Sequence, residues 1–224
     1  RVLDIGTGTG LWAMKYADEY SEDVIVTGVD IRPIQPEWVP PNCVFEIFNC
    51  EERWTWKSKF HYIRMANLAG CLNDVQGVMN QAYEHLQPGG ILQMVDFDLC
   101  LKCDDEVGLQ HSPAYNFFQK HIKAAQRLKR PIHIVGQYQD MMKAAGYQLL
   151  RHNVFKVPIN EWPLDTQEKE LGSLMKAFIT SDPIGMFVDR LVSGSDVEPQ
   201  QAILDCIMMR QELMETKNRF YFTA

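Results

Sequence analysis

The chain has 224 residues, 46% hydrophobic and 23% charged, with a net charge of −7. That balance supplies the core of one domain and argues against a phosphate-binding surface as its main business. No apolar run reaches membrane-spanning length, and no long basic run marks a nucleic-acid footprint.

The first stretch, Val2 to Trp12, sets the rest. A short apolar run carries an acid, Asp4. Gly6, Gly8 and Gly10 follow on alternate residues, and a helical pattern begins at once. This predicts a buried strand, a tight turn and a helix N-terminus. Dinucleotide sites usually read G-x-G-x-x-G, with the helix end on a pyrophosphate. Here the third glycine comes one residue early. S-adenosylmethionine has no pyrophosphate but carries an ammonium and a carboxylate. Asp4 suits the first, and the N–H groups of the Gly6-Thr7-Gly8-Thr9-Gly10 turn suit the second. The next apolar run ends at Asp30, twenty residues after Gly10. An acid there is expected to meet two ribose hydroxyls, with Ile31 beside it.

Residues 11–20 read as the first helix. Ile31 to Pro41 is too rich in proline for another and reads as a loop on the ligand side. Cys43 to Phe48 is a third strand, ending in Asn49-Cys50-Glu51, where an adenine edge would lie. Asn49 can accept from the adenine amino group. Trp54 and Trp56 could cover the base or pack in the core. Phe60 to Met65 is a fourth strand, carrying Arg64 and followed by Asn67. Val75 to Leu86 is a helix closed by Gln87-Pro88-Gly89-Gly90, and Ile91 to Phe97 a fifth strand running into Asp98. Arg64 and Asn67 join the cofactor set; Asn67 and Asp98 are also expected to face substrate.

Pro113 to Leu128 reads as an extra helix, 134–145 as a regular one ended by Gly146, and Tyr147 to Val157 as strand six. Residues 160–219 hold two or three helices. Gln200 to Lys217 is the clearest, with Ile203, Cys206, Ile207 and Leu213 on one side. Phe220 to Thr223 begins a last strand. The surplus segments, about 99–131 and 160–219, are expected to cap the cofactor edge and shape an acceptor pocket within one domain, 1–224. Arg1 already lies inside a strand, so a preceding segment is expected.

Six scattered cysteines read as reduced intracellular thiols, hence a cytoplasmic or nuclear protein. Cys100 and Cys103 form one C-x-x-C without a second, so no metal is expected. A base is needed only for an acceptor that arrives protonated, and histidine is the usual one near neutral pH. His111, His121 and His133 are the candidates, and His61 reads as structural. His111 follows the fifth strand most closely and is the choice, with Tyr115 as a hydrogen-bonding partner.

The stretch Asp4 to Ala13 resembles the first motif of the LaeA-like fungal methyltransferases. Four later stretches agree: Pro33 to Asn42, Trp54-Thr55-Trp56, Leu86 to Gly90, and Trp162-Pro163 leading to Lys169-Glu170-Leu171-Gly172. The run Pro-Ile-Gln-Pro-x-Trp-Val-Pro-Pro-Asn is the most specific of them. Asn49 stands where the family usually has an acid, and Ala66 where it often has arginine. The resemblance implies a class I, Rossmann-like α/β fold. Its seven-stranded, mostly parallel sheet has helices on both faces and S-adenosylmethionine at the strand ends. It also implies one of two roles. One is O- or C-methylation of a small, secondary-metabolite-like acceptor. The other is regulation of secondary metabolism through a velvet-type protein partner. Neither involves direct nucleic-acid or membrane binding.

Overall fold

The computed structural model describes residues 1–20, 23–104 and 109–224. They divide into two units. The first comprises Arg1–Leu68, Leu72–Asp96 and Gln137–Leu150. It is organised on β1 (Val2–Ile5), whose four residues are all buried. Parallel ladders run from β1 to β2 (Val26–Asp30) on one side and to β4 (Phe60–Ala66) on the other. β3 (Cys43–Ile47) extends the sheet beyond β2 and β5 (Leu86–Val95) beyond β4, giving the order β3-β2-β1-β4-β5. A central strand flanked by crossovers in both directions creates the switch point where such sheets bind ligands.

Helix α1 (Leu11–Glu19) buries Ala13 and Ala17 against Val2, Val26 and Cys43. Helix α2 (Val75–His85) is capped by Asp74, whose carboxylate accepts from Gly77 N at 2.8 Å. The expected Gln87–Gly90 turn lies inside β5 as an irregularity: Leu86 pairs with Phe60, and pairing resumes at Ile91 with Tyr62.

The second unit comprises Ala69–Cys71, Phe97–Gly136 and Arg151–Ala224. It contains β6 (Asp98–Cys103), α3 (Pro113–Arg127), β7 (Lys156–Pro158), α5 (Thr166–Ser181), α6 (Pro183–Gly194), α7 (Pro199–Leu213) and β8 (Phe220–Thr223); α4 (Tyr138–Ala144) belongs to the first unit. Phe117, Phe118, Phe187 and Phe222 meet edge to face at the centre of its core. The starts of α3, α5 and α6 carry side-chain caps. Ser112 caps α3, and Glu212 on α7 accepts from both Ser112 Oγ and Ala114 N, at 2.7 and 2.8 Å. Asp165 and Asp182 cap α5 and α6.

Four expectations are corrected. The parallel sheet has five strands, not seven; β6, β8 and β7 form a separate antiparallel sheet in that order. A strand exists only where a ladder partner does. Of residues 147–157, only the end finds one, with Phe155 pairing Ala224 beside the β7–β8 ladder. Tyr147 instead donates its hydroxyl to Met79 O at 3.1 Å. The helix expected from residue 134 begins at Tyr138, after a 3₁₀ turn over Val135–Gln137. On α7 the buried side is Ala202, Cys206, Met209 and Leu213, and Ile207 is exposed.

The later stretches that carry the resemblance have structural reasons. Asn160 is buried in a left-handed conformation, φ 71°. Its amide donates to Leu213 O and Glu215 O, and its carbonyl accepts from Trp162 N. Its backbone N–H bonds to Gly172 O, and a Cβ on Gly172 would lie 2.0 Å from Asn160 O.

Candidate cofactor site

The glycine turn opens at the carboxyl end of β1. Gly6 N and Thr7 N both donate to Val29 O, at 2.8 and 2.9 Å, and Gly10 N donates back to Thr7 O. Gly6, Gly8 and Gly10 all have left-handed backbones. Gly10 begins α1, and a Cβ there would fall 2.2 Å from Phe45 Cζ. Gly8 is the opposite case. A Cβ at Gly8 would meet nothing within 4 Å, so the turn presents open space there. Thr9 beside it is exposed.

Two acids hold this turn from different sides. Asp30 Oδ2 accepts from Gly8 N at 2.9 Å and its Oδ1 from Arg32 N at 3.0 Å. A carboxylate oxygen has two lone pairs, so each keeps acceptor capacity for a hydroxyl. Asp4 is fully buried. It accepts from Thr7 Oγ1 at 2.8 Å and from Arg64 Nη1 at 2.9 Å. Burial raises its carboxyl above the usual carboxylate range, against the opposing pull of Thr7 and Arg64. Arg64 also lies over the Trp12 ring, 4.5 Å from its centroid. Asp4 is thus engaged in fixing Thr7 and Arg64.

The remaining residues of the expected set surround the same strand ends. Ile31 and Asn49 are exposed at the ends of β2 and β3. Asn49 Oδ1 accepts from Glu51 N at 3.1 Å. Glu51 has a task the sequence did not suggest. Its carboxylate accepts from Asn73 N and Asp74 N, both at 2.7 Å, and from Asn73 Nδ2 at 2.9 Å. It therefore fastens this loop to the start of α2. Cys50 is buried, and its carbonyl accepts from the indole of Trp54. Trp54 is itself buried against Trp56 and His85, which gives it the core role. Asn67 is exposed in a left-handed conformation at the end of β4.

Gln35 escaped the sequence reading. Its Nε2 donates to Gly8 O at 2.6 Å and to Arg32 O at 3.0 Å. The available signal was its place in the Pro33–Asn42 run. At the far end of that run, buried Asn42 donates to Ala17 O and Val24 O, both at 3.0 Å. Gln35→Ala should leave the fold intact and weaken cofactor affinity by about 0.5–1.5 kcal/mol, the net worth of a typical hydrogen bond, as isothermal calorimetry would show.

His111 and Tyr115 lie in the second unit. His111 is exposed at the end of the 3₁₀ turn Leu109–His111, and Tyr115 sits in the first turn of α3. His111 lines a cleft with Pro113, Asn116, Phe117 and Lys120. His61 lies on β4, exposed and outside the cofactor set.

A left-handed glycine turn lies between two acids at the switch point of a parallel sheet. Residues 1–152 match the family model for a methyltransferase domain, and the chain belongs to that family. S-adenosylmethionine is the cofactor that this membership gives the chain, in agreement with the glycine spacing. Over 175 residues the chain is 31% identical to methyltransferase pytC of Aspergillus terreus, covering 78% of this chain and 54% of that protein. It is 33% identical over 175 residues to the secondary metabolism regulator LAE1 of Cochliobolus heterostrophus, covering 77% and 57%. These relatives bear out the resemblance to LaeA-like fungal proteins. The chain spans about half the length of the curated relatives it matches. A solved structure of a putative methyltransferase from Bacillus halodurans C-125 shares the fold with a TM-score of 0.54 at 15% identity, over 99% of this chain and 87% of that one.

Proposed function

We propose that the chain transfers a methyl group from S-adenosylmethionine to an oxygen or carbon of a small-molecule acceptor. The observation that carries this is the open face of Gly8 beside the Asp30 carboxylate. In this reading Asp30 accepts from the ribose hydroxyls. Backbone N–H groups of the Gly6–Gly10 turn and the start of α1 face the amino-acid carboxylate. Asp4, through Thr7 and Arg64, keeps that turn in shape. Asn49 reads the adenine edge, Ile31 flanks the base, and Glu51 and Cys50 fix the loop that carries Asn49. Arg64 and Asn67 complete the wall on the β4 side. When bound, the cofactor supplies an electrophilic methyl group on a sulfonium. The protein's task is then alignment, with reacting atoms held about 3–3.5 Å apart. Segments 99–131 and 160–219 select the acceptor in this reading, and exchanging either with a relative should alter acceptor choice.

Asp30→Ala tests the assignment. It should leave the fold intact and weaken S-adenosylmethionine binding by about 1–3 kcal/mol, the cost of stranded hydrogen-bond partners. Unchanged affinity by calorimetry would sink the assignment.

One observation favours a second reading, a cofactor-binding regulator that works through a velvet-type protein. Leu171, Leu174 and Phe178 are exposed on α5 at helical spacing. Under that reading Leu174→Glu abolishes capture of a velvet-domain protein and leaves calorimetric cofactor affinity unchanged. No helix among the described residues is long and apolar enough to cross a membrane. A cytoplasmic or nuclear location belongs to the same proposal, and localisation of the tagged protein tests it.

A further inference from the structure

The cofactor carries a carboxylate, and the first unit holds a guanidinium placed beside the glycine turn. Arg64 on β4 stands across the ladder from Asp4 on β1, the strand that runs into that turn. Two contacts fix its side chain. Nη1 donates to Asp4 Oδ1 at 2.9 Å, and the guanidinium lies 4.5 Å from the centroid of the Trp12 ring. Trp12 belongs to the first turn of α1, and Asp4 Oδ2 accepts from Thr7 Oγ1. Two hydrogen bonds therefore join the guanidinium to the turn. Its side chain is 19% exposed, so the group is held yet reachable.

A guanidinium has five N–H donors. Among the described residues Asp4 is the one acceptor that Arg64 meets. Gln93, its ladder neighbour on β5, is engaged elsewhere: its Oε1 accepts from the Tyr62 hydroxyl. No acid stands in the first turn of α1, and no side chain caps its start. Donors therefore outnumber acceptors at this edge. The strand order says which end of the ligand arrives here. In the reading above the adenine lies beyond β3 and the ribose at the end of β2. With the order β3-β2-β1-β4, the amino-acid end then falls over β1 and β4, where Arg64 stands.

We propose that Arg64 binds the carboxylate of S-adenosylmethionine, and so makes the site prefer an adenosyl amino acid to an adenosyl amine. This deepens the cofactor reading above and rests on it. The open edge of the guanidinium donates to the carboxylate, while N–H groups at the start of α1 approach its other side. Asp4 and Trp12 hold the guanidinium before the ligand arrives, so little side-chain freedom is lost on binding.

The test is calorimetry on the full chain with two ligands: S-adenosylmethionine and its decarboxylated form, which lacks the carboxylate and keeps the sulfonium and the amine. The wild type should bind the first about 10–100-fold tighter, the worth of hydrogen bonding to a charged group. Arg64→Met should erase most of that preference by weakening S-adenosylmethionine alone. Arg64→Lys keeps a cation for Asp4 but loses the planar fork, so its preference should fall between the two. A role confined to holding Asp4 and the turn would weaken both ligands alike, and that result would overturn the proposal. A wild type that does not discriminate would overturn it without any variant. Should Arg64→Met fail to fold, an undiminished preference in Arg64→Lys would overturn it as well. A wild type that binds neither ligand would overturn the cofactor reading itself.

Discussion

Acidification from pH 6.5 to 4.5 is expected to cost the protein about 2 kcal/mol through His121 alone, the slope rising to about 1.36 kcal/mol per pH unit below the unfolded-state value. This imidazole sits on α3 with 1% of its surface exposed. It lies parallel to Phe117, meets Phe187 edge on, and has Nε2 3.4 Å from Arg190 Nη1. Among the described residues its buried Nδ1 finds no hydrogen-bond partner. Burial first, and the Arg190 guanidinium second, push its pKa from 6.5 down to about 3. The folded protein therefore keeps the ring neutral where the unfolded chain takes up a proton. The stabilisation is complete above about pH 6.5. It drains away as the pH falls towards the folded-state value. His121→Phe suits the aromatic neighbours and removes the titration. Urea unfolding of both proteins at pH 7, 5.5 and 4.5 should show a steep loss in the wild type and a shallower one in the variant. Parallel losses would reject the assignment.

Two glycines in the same turn should respond differently to the same methyl group. Gly10→Ala pays the left-handed backbone penalty of about 1–2 kcal/mol. It also forces a carbon to within 2.2 Å of the Phe45 ring. Overpacking of that kind adds about 1–3 kcal/mol. A total loss of about 2–5 kcal/mol in chemical denaturation is expected. Gly8→Ala carries only the first cost, because its Cβ meets no atom within 4 Å. It should fold, melt a few degrees lower, and lose at least about tenfold in S-adenosylmethionine affinity, or 1.4 kcal/mol. Wild-type affinity in Gly8→Ala would show that the open space at Gly8 is not where the ligand lies.

The parts legible in the sequence were those set by local physics. Alternating glycines between two acids located the turn, and its left-handed backbones follow from that pattern. The helix read over Pro113 to Leu128 is α3, which ends one residue earlier at Arg127. Pairing was not legible, because a period of two does not name a partner strand. That is why Tyr147 to Val157 read as one long strand while only Lys156–Pro158 is assigned as one. The working side chains followed the same divide. Asp30 stood out because it ends a strand at a fixed distance from the turn. Gln35 and Glu51 depend on long-range contacts across 22 to 27 residues. Trp54 could be read as stacking platform or core, and only its burial separates the two.

Gln35 has a bearing on how such a chain tolerates divergence. Both of its hydrogen bonds end on main-chain carbonyls, those of Gly8 and Arg32. A side chain that recognises backbone makes no demand on the identity of the residue it touches. Substitutions at Arg32 that preserve the local path would leave the bond in place. The glutamine itself has no such freedom, since Asn is one methylene shorter and Glu has no N–H to donate. A contact of this kind can persist in a protein about 31% identical to its relatives while the surrounding loop drifts.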